Sequence, residues 1–302
     1  MQDLRNYQIT KSEARDILYS LSLSHYVKSL GFKTYEWQER VLKSEHKRKA
    51  INGARQSGKS TIITTKPSHK AKYKPESLSI IMAPTERQAY LNMQKIKTFI
   101  KLDKTFPKID RYSDQLIELN NGSRIVVVPA TETSARGDSK PDIIILDEAS
   151  RIDEAVYKSG VVPMLTENPD CELIDISTPN GKFGFHFNAM NNPKWERYEI
   201  RAPWEVDEIN FTLYEAEPEE TYQKKLKEKG IIGYYSPRHR NKEEQLFNLG
   251  EMGCLMYRQE YGVEFVEPSD QVFSYDEIER LFVNKIEALD FEEIGEAEAL
   301  TF

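Results

Sequence analysis

The 302-residue chain is 39% hydrophobic and carries a formal net charge of −7. This size suits one large domain or two modest ones, and no apolar run of 18 residues predicts a membrane span. The two cysteines and five scattered histidines show no metal-ligand spacing, which argues against a zinc site and fits a reduced, intracellular setting. The acidic charge argues against a protein that binds DNA statically through a basic surface.

An aromatic segment follows a helical N-terminus. Residues 1–30 predict one or two helices, with Ser12 as an N-cap. Gln38 then offers an amide donor and acceptor, which complement the N7 acceptor and N6 donor of adenine. Tyr35 or Trp37 can pack on the base, although a helix N-terminus with core aromatics gives the same pattern. We favour an adenine contact because a phosphate-binding motif comes next.

That phosphate-binding motif is the most informative stretch of the chain. Residues 53–60 fit the P-loop pattern G-x-x-x-x-G-K-[ST] at every fixed position. Its glycines allow a tight turn that brings backbone N–H groups against phosphate oxygens. Lys59 is expected to reach the β- and γ-phosphates, and the Ser60 hydroxyl to hold Mg²⁺. The residues predicted to contact nucleotide here are Gly53, Ala54, Arg55, Gln56, Ser57, Gly58, Lys59, Ser60 and Thr61.

The chain between the P-loop and the next motif predicts strands and turns. Residues 77–84 predict a buried strand, and Thr85 caps the helix that follows. Asn121 and Gly122 lie between two β-rich runs, which is typical of a hairpin. A polar loop that contains Arg136 then leads into the next strand.

A partner for the P-loop lies at the end of that strand. Residues 143–146 are apolar and predict a strand buried on both faces, with Asp147 and Glu148 at its carboxyl end. Ligand sites of open α/β sheets lie at such strand ends. We expect Asp147 to hold Mg²⁺ and Glu148 to orient and polarise an attacking water. Together with the P-loop, this pair predicts ATP hydrolysis.

A further buried strand, residues 171–177, ends in three short residues, Ser177, Thr178 and Pro179. Hydroxyl groups at a strand end can sense the γ-phosphate through water, although an ordinary strand-to-turn transition gives the same pattern. Residues 195–203 predict the last strand. Strands that alternate with helices indicate an α/β fold with a mainly parallel, doubly wound sheet.

The predicted domain organisation changes after residue 205. Beyond it the chain reads as charged helices and ends in an acidic tail. We predict N-terminal helices that form part of a lid (1–30), an ATPase core (31–205), a helical lid and linker (206–282) and a tail that is expected to be mobile (283–302).

Together these segments resemble the ATPase part of the large terminase subunit of tailed bacteriophages, the motor that packages DNA into the capsid. The resemblance covers roughly residues 30–282. The segments that carry it are the P-loop with Arg55-Gln56 inside it, Tyr35-Glu-Trp-Gln38, Asp147-Glu148, Ser177-Thr178-Pro179, Arg136-Gly137 and the join Arg258–Gly262 with Val272-Phe273. The triplet at residues 177–179 resembles the family's coupling motif.

The resemblance implies a RecA-like P-loop NTPase fold of the ASCE class with a small helical lid subdomain. It implies ATP hydrolysis with Mg²⁺ that moves double-stranded DNA into a procapsid, in a homo-oligomeric ring of chains that are monomers in isolation. The implied partners are DNA, a portal protein and a small terminase subunit; the implied location is the host cytoplasm and, transiently, the procapsid, with no membrane contact. A nuclease domain usually follows, and because this chain stops at Phe302 we expect no DNA cleavage.

Basic residues provide candidates for contact with DNA. A translocating motor needs phosphate contacts weak enough to release, so an acidic net charge is tolerable if one stripe is basic. A solvated face gives the same pattern. The candidates are Lys66, Lys70, Lys72, Lys74 and Arg124.

Two arginines compete for the role of arginine finger. Arg55 lies in the P-loop and can act within its own subunit, whereas Arg136 lies on a loop and can reach a neighbour's site in a ring. A finger is worth about 10³- to 10⁵-fold in rate. We favour Arg136 in trans, with Arg55 as a phosphate sensor.

Two other functions share parts of this pattern. A superfamily 2 helicase or translocase also combines a glutamine motif, a P-loop and Asp-Glu, but it needs a second RecA-like domain, for which residues 205–302 are too short and too polar. A nucleotide switch in a ring assembly binds ATP without turnover, and Glu148 beside Asp147 argues against it.

Overall fold

The computed structural model describes residues 9–131 and 140–267 of the chain. Within these residues, helices flank one nine-stranded sheet. The strands are β1 (Arg48–Gly53), β2 (Leu78–Ala83), β3 (Ile109–Tyr112), β4 (Leu116–Leu119), β5 (Arg124–Pro129), β6 (Ile143–Asp147), β7 (Glu172–Ser177), β8 (Glu196–Arg201), β9 (Trp204–Asp207), β10 (Thr212–Glu215) and β11 (Ile231–Tyr235).

The helices begin and end at defined caps or turns. Thr10, and not Ser12, caps the first helix, where it forms a capping box with Glu13, and Thr85 caps α5 as predicted. The helices are α1 (Lys11–Leu21), α2 (Leu23–Ser29), α3 (Glu36–Lys43), α4 (Ser60–Tyr73), α5 (Glu86–Leu102), α6 (Glu154–Val156), α7 (Val162–Glu167), α8 (Gly184–Asn191), α9 (Glu219–Glu228), α10 (Lys242–Met252) and α11 (Cys254–Glu260). None of those in the described ranges is long and apolar enough to cross a membrane.

The main sheet runs in the order β11-β8-β1-β7-β6-β2-β5-β4-β3. From β11 to β5 every neighbouring pair is parallel, and β4 and β3 add antiparallel strands at one edge. The predicted α/β fold class and the hairpin at Asn121-Gly122 are thereby confirmed. Because β1 lies between β7 and β8, the P-loop that follows β1 emerges at the sheet's carboxyl edge between two parallel neighbours.

Each face of the sheet packs on its own apolar cluster. In β6, Ile143 and Ile145 join the cluster that includes Trp37 of α3, whereas Ile144 and Leu146 join the cluster that includes Phe185 of α8. This alternation follows from the two-residue period of a strand. Burial on both faces explains why β6 reads as a continuous apolar run, and it places Asp147 rigidly at the end of the strand.

The predicted core boundary at residue 205 is wrong, because β11 pairs in parallel with β8 in the main sheet. A glycine inside a strand weakens it, so the sequence around Gly233 did not indicate β11. Gly233 instead allows α9 to approach closely, since a Cβ atom there would lie 2.6 Å from Leu226 Cδ1. The helices predicted after residue 205 are present as α9, α10 and α11, while β9 and β10 form a separate antiparallel pair.

Candidate active site

The P-loop forms a compact turn between β1 and α4. Gln56 and Gly58 adopt positive φ angles of 59° and 103°. The Lys59 ammonium folds back and donates to the carbonyl oxygens of Gly53, at 2.6 Å, and Ala54, at 3.2 Å. A Cβ atom on Gly53 would lie 3.2 Å from the Lys59 side chain, so the glycine permits this close approach. The predicted contact of Lys59 with phosphate stays a prediction.

Backbone hydrogen bonds anchor the P-loop to elements further along the chain. The Ala54 N–H donates to the Ile200 carbonyl of β8 at 2.7 Å, and the Arg55 N–H donates to the Glu260 carbonyl at the end of α11 at 2.7 Å. Asn52 Nδ2 donates to the Val263 carbonyl at 3.0 Å. The loop is therefore held by both β8 and the segment that leaves α11.

Asp147 and Glu148 face the P-loop from the end of β6. Asn92 of α5 donates its Nδ2 to Asp147 Oδ2 at 2.7 Å. Burial raises the pKa of the Asp147 carboxyl, and the hydrogen bond from Asn92 opposes that rise. Glu148 adopts a left-handed backbone with φ of 52°, which turns the chain sharply as it leaves the strand.

Opposite charges meet at this edge. Burial lowers the pKa of the Lys59 ammonium, and the carboxylates of Glu148 and Asp147 oppose the shift. The cluster surrounds a cavity of about 520 Å³, which we call the P-loop cavity. Its lining consists of Arg55, Gln56, Gly58, Lys59, Ser60, Thr61, Gln88, Leu91, Asn92, Lys95, Asp147, Glu148, Arg151, Thr178, Arg238 and Glu260.

Sequence reasoning missed several of these lining residues. Lys95 Nζ donates to Ser60 Oγ at 3.0 Å, beside the predicted Mg²⁺ ligands. Gln88, Leu91, Asn92 and Lys95 occupy one face of α5 at helical spacing, a pattern that identifies them only once α5 is known to pack beside the P-loop.

Two missed arginines lie on irregular segments. Arg151, in a 3₁₀ turn just after Glu148, lies 3.5 Å from the buried carboxylate of Glu260. Arg238 follows β11, where it donates to the Tyr35 hydroxyl at 3.1 Å and to the Gln56 carbonyl at 3.4 Å. No sequence pattern identifies Arg238 in advance.

The aromatic segment around Gln38 lies behind the P-loop. Gln38 Nε2 donates to the Gly58 carbonyl at 2.9 Å and to Thr61 Oγ1 at 3.2 Å, and Gln38 Oε1 accepts from the Tyr35 N–H at 2.8 Å. Trp37 is 1% exposed and packs in the core, so the prediction that it contacts the base is wrong. Tyr35 stays a candidate, because its ring borders Arg238.

The segment Ser177-Thr178-Pro179 contacts the chain that follows Glu148. Ser150 Oγ lies 2.8 Å from Ser177 Oγ and donates to the Thr178 carbonyl at 2.8 Å. Thr178 also lines the P-loop cavity. Hydrogen bonds therefore link this strand end directly to the turn that carries Glu148.

The structure describes one of the two arginine-finger candidates, Arg55, and not the other, Arg136. Arg55 is exposed and lines the P-loop cavity. Arg136 and Gly137 lie outside the described residues, as do Val272 and Phe273. The choice between the two arginines stays a prediction.

The lysines proposed for DNA contact do not form an exposed stripe. The side chains of Lys66 and Lys72 are 8% and 7% exposed and pair with Glu172 and Asp103, so the prediction is wrong for these two. Lys74 pairs with Asp142, Lys70 is half-buried on α4, and Arg124 opens β5.

Ser60 and Asp147 fit the chemistry of a Mg²⁺ site. Mg²⁺ binds oxygen ligands, and it usually takes one or two protein groups together with water and substrate phosphates. A serine hydroxyl and a carboxylate at the same cavity supply such groups. Across the described ranges, no group of three or more His, Cys, Asp or Glu side chains is arranged to hold a metal ion by protein ligands alone.

Known proteins similar to this chain are phage terminases. The family model described as "Terminase large subunit, T4likevirus-type, N-terminal" matches residues 50–280. The large terminase subunit of Thermus phage G20c is 27% identical over 282 residues, covering 81% of this chain and 51% of that protein, and that of Thermus virus P23-45 gives the same values. The chain thus spans about half the length of the curated relatives it matches.

Solved structures share the fold. The large terminase ATPase domain of Thermus phage P74-26 matches with a TM-score of 0.59 at 22% identity, covering 80% of this chain and 98% of that one. The large terminase of another thermophilic bacteriophage, in complex with ADP, matches with a TM-score of 0.50 at 10% identity, covering 82% and 52%. At these identities the matches concern the fold alone.

Proposed function

The chain belongs to the terminase large-subunit family, and from this premise we propose that its P-loop cavity binds ATP with Mg²⁺ and hydrolyses it to drive double-stranded DNA into a procapsid. One observation carries the proposal. The P-loop residues Lys59 and Ser60 and the strand-end carboxylates Asp147 and Glu148 line the same cavity at the carboxyl edge of the sheet. This is where an open α/β sheet binds its ligand.

Binding rests on the P-loop backbone and on two oxygen ligands. The turn at Gly58 and the start of α4 direct backbone N–H groups towards an anion. Ser60 and Asp147 would hold Mg²⁺, which supplies positive charge to the phosphate oxygens when it is bound. To reach the phosphates, the Lys59 ammonium would break its hydrogen bonds to the carbonyl oxygens of Gly53 and Ala54.

Hydrolysis is assigned to Glu148, which would orient and polarise the water that attacks the γ-phosphate. Glu148 follows the last residue of β6 in a sharp backbone turn and lines the P-loop cavity, which supports this assignment. Arg55, Arg151 and Arg238 supply fixed positive charge around the same cavity, where charge develops during phosphoryl transfer.

Coupling to mechanical work is assigned to the contact between Ser150 and Ser177. A change in the turn after Glu148 alters the hydrogen bonds that Ser150 makes to the end of β7. The partners we propose come from the family: double-stranded DNA, a portal protein, a small terminase subunit and further copies of this chain in a ring. The proposed setting is the host cytoplasm, with transient attachment to the procapsid.

Steady-state ATP hydrolysis by Glu148→Gln tests the function. We expect kcat to fall about 10²- to 10⁴-fold because general base assistance is lost, while ATP binding persists. Glu154→Gln, a partly exposed glutamate on α6 six residues further along the chain, is the matched control and should keep full turnover. If Glu148→Gln hydrolyses ATP at the wild-type rate, the assignment fails. If the wild-type chain binds ATP but never turns it over, even with DNA, the chain is a nucleotide switch.

A mixing experiment separates the two finger candidates. Arg136→Ala and Glu148→Ala proteins are combined under conditions in which rings form. Restored hydrolysis supports Arg136 acting in trans, because each mutant supplies what the other lacks. Arg55→Ala serves as the comparison within a subunit, and absence of any restored activity favours Arg55.

A further inference from the structure

A second charged cavity lies at the opposite, amino edge of the sheet. Its volume is about 520 Å³, and we call it the lysine cavity. Ile143 begins β6 there and Glu172 begins β7, and the later turns of α4 border it. Its charged and imidazole lining consists of Lys43, Glu45, Lys47, Lys66, His69, Lys70, Asp170 and Glu172.

The inner wall of the lysine cavity carries more positive than negative charge. The ammonium groups of Lys49 and Lys66 both lie 2.6 Å from the same oxygen of Glu172. Lys49 is fully buried directly behind the wall, and Lys66 is 8% exposed. Lys70 lies on the same face of α4, one turn beyond Lys66. Within the described ranges its ammonium group makes no hydrogen bond or ion pair, although the charges of Glu172 and Asp142 act on it. Lys49 and Lys66 thus share the carboxylate of Glu172, and Lys70 adds a third ammonium group to the same wall.

This excess of positive charge is energetically unfavourable unless an anion binds in the lysine cavity. Burial, together with the Lys66 charge, lowers the pKa of Lys49 to about 8, and burial also lowers the pKa of Lys70. Burial disfavours the charged form of both lysines, and the carboxylate of Glu172 opposes each shift only in part. A dianion would match three ammonium groups against one carboxylate, and lysine is a common point-charge partner of phosphate.

We propose that the lysine cavity binds a small phosphate compound, inorganic phosphate or the phosphate end of a nucleotide, through Lys66 and Lys70. The recessed position of Lys66 favours such a compound over the backbone of double-stranded DNA, which is too wide to reach a side chain that is 8% exposed. The site is separate from the P-loop cavity, since Lys70 lies ten residues after Ser60 in α4, or about 15 Å along the helix.

Phosphorus NMR titration tests the proposal in the full chain. All proteins carry Lys59→Ala to weaken phosphate binding at the P-loop, and inorganic phosphate and ADP are titrated separately. We expect saturable binding of at least one of the two compounds, with affinity reduced at least tenfold by the further change Lys70→Gln. Binding of inorganic phosphate would identify free phosphate as the ligand. Binding of ADP without binding of inorganic phosphate would identify a nucleotide.

Two controls make the result decisive. Lys70→Arg keeps the charge and should bind within about threefold of its parent, whereas Lys158→Gln, an exposed lysine on another face, should change nothing. Absence of saturable binding of both compounds, or equal loss in Lys70→Gln and Lys158→Gln, overturns the proposal. The proposal is also overturned if Lys70→Gln weakens binding of a 20-base-pair DNA duplex but leaves binding of inorganic phosphate and ADP unchanged. None of these results depends on ATP turnover at Glu148.

Discussion

The two edges of the parallel sheet both gather charged side chains around a cavity, but they do so by different means. At the carboxyl edge Arg55 and Glu148 lie on turns, where Gln56, Gly58 and Glu148 adopt positive φ angles. At the amino edge Lys66 and Lys70 lie within α4, and Glu172 begins β7. The carboxyl edge therefore positions charge through backbone geometry, which restricts the residue types, whereas the amino edge positions charge through burial and ion pairing.

The largest expected effect concerns the amino edge. Glu172→Gln leaves Lys49 and Lys66 without their shared carboxylate, and we expect a loss of about 3–5 kcal/mol in the free energy of unfolding. Urea unfolding measures it, with Glu167→Gln, an exposed glutamate in α7, as the control. A loss no greater than that of the control would show that the ion pairs do not hold this edge together.

The same residue predicts a pH dependence. Burial raises the pKa of Glu172, but Lys66 and Lys49 outweigh it and bring the pKa to about 2, below the ordinary value of 4.5. The charged carboxylate therefore stabilises the fold above pH 4.5, and that stability is lost as the pH falls towards 2. Unfolding measured across this range should show a smaller fall for Glu172→Gln than for the wild type.

The next effect concerns the carboxyl edge, where we propose that charge serves binding and not stability. Lys59→Ala should lower kcat for ATP hydrolysis about 10²- to 10³-fold, because a preorganised phosphate contact is lost. Its free energy of unfolding should not fall by more than about 1 kcal/mol, since burial already disfavours the charged lysine. Lys101→Ala, an exposed lysine on α5, is the control. A large loss of stability in Lys59→Ala would show that charge stabilises the fold at the carboxyl edge as it does at the amino edge.

A smaller effect is expected at Asp147. Asn92→Ala removes the hydrogen bond that opposes the raised pKa of this carboxyl, so Asp147 should bind protons more readily and Mg²⁺ less tightly. Loss of such a supporting contact typically costs about 10- to 100-fold in metal affinity. The Mg²⁺ dependence of ATP hydrolysis measures it, and Asn191→Ala, an exposed asparagine on α8, should leave it unchanged. An unaltered Mg²⁺ requirement in Asn92→Ala would separate Asp147 from metal binding.

The smallest effect concerns a side chain that borders the carboxyl edge from outside any motif. Arg238→Gln removes the contact of the guanidinium with the Tyr35 ring and hydroxyl, a contact of about 0.5–1 kcal/mol at an exposed site. We expect KM for ATP to rise about two- to fivefold with little change in kcat. Arg240→Gln, two residues along and exposed, is the matched control. If both substitutions raise KM equally, the rise reflects the loss of positive charge and not the contact with Tyr35.

The difference between the edges also explains what could be predicted from sequence. The P-loop and Asp147-Glu148 were recognisable because their geometry admits few residue types, and the buried strands because both faces demand apolar side chains. Lys66 and Lys70 were predicted to contact DNA, with a solvated helix face as the alternative, because sequence does not show that the carboxylate at the start of β7 lies beside them. Strand β11 was missed because Gly233 serves the packing of α9, and Arg238 because its neighbours come together only in the folded chain.

The amide of Gln38 has a consequence for how the chain could distinguish one base from another. A glutamine amide has two N–H donors, and here both are engaged, one with Gly58 and one with Thr61. Donating to N7 of a purine therefore requires the release of one of these bonds, at the P-loop or at the first turn of α4. A purine base would then act as a trigger of loop rearrangement, whereas a pyrimidine, which has no N7, would not. A nucleoside triphosphate with a pyrimidine base would bind nearly as well as ATP and be hydrolysed more slowly.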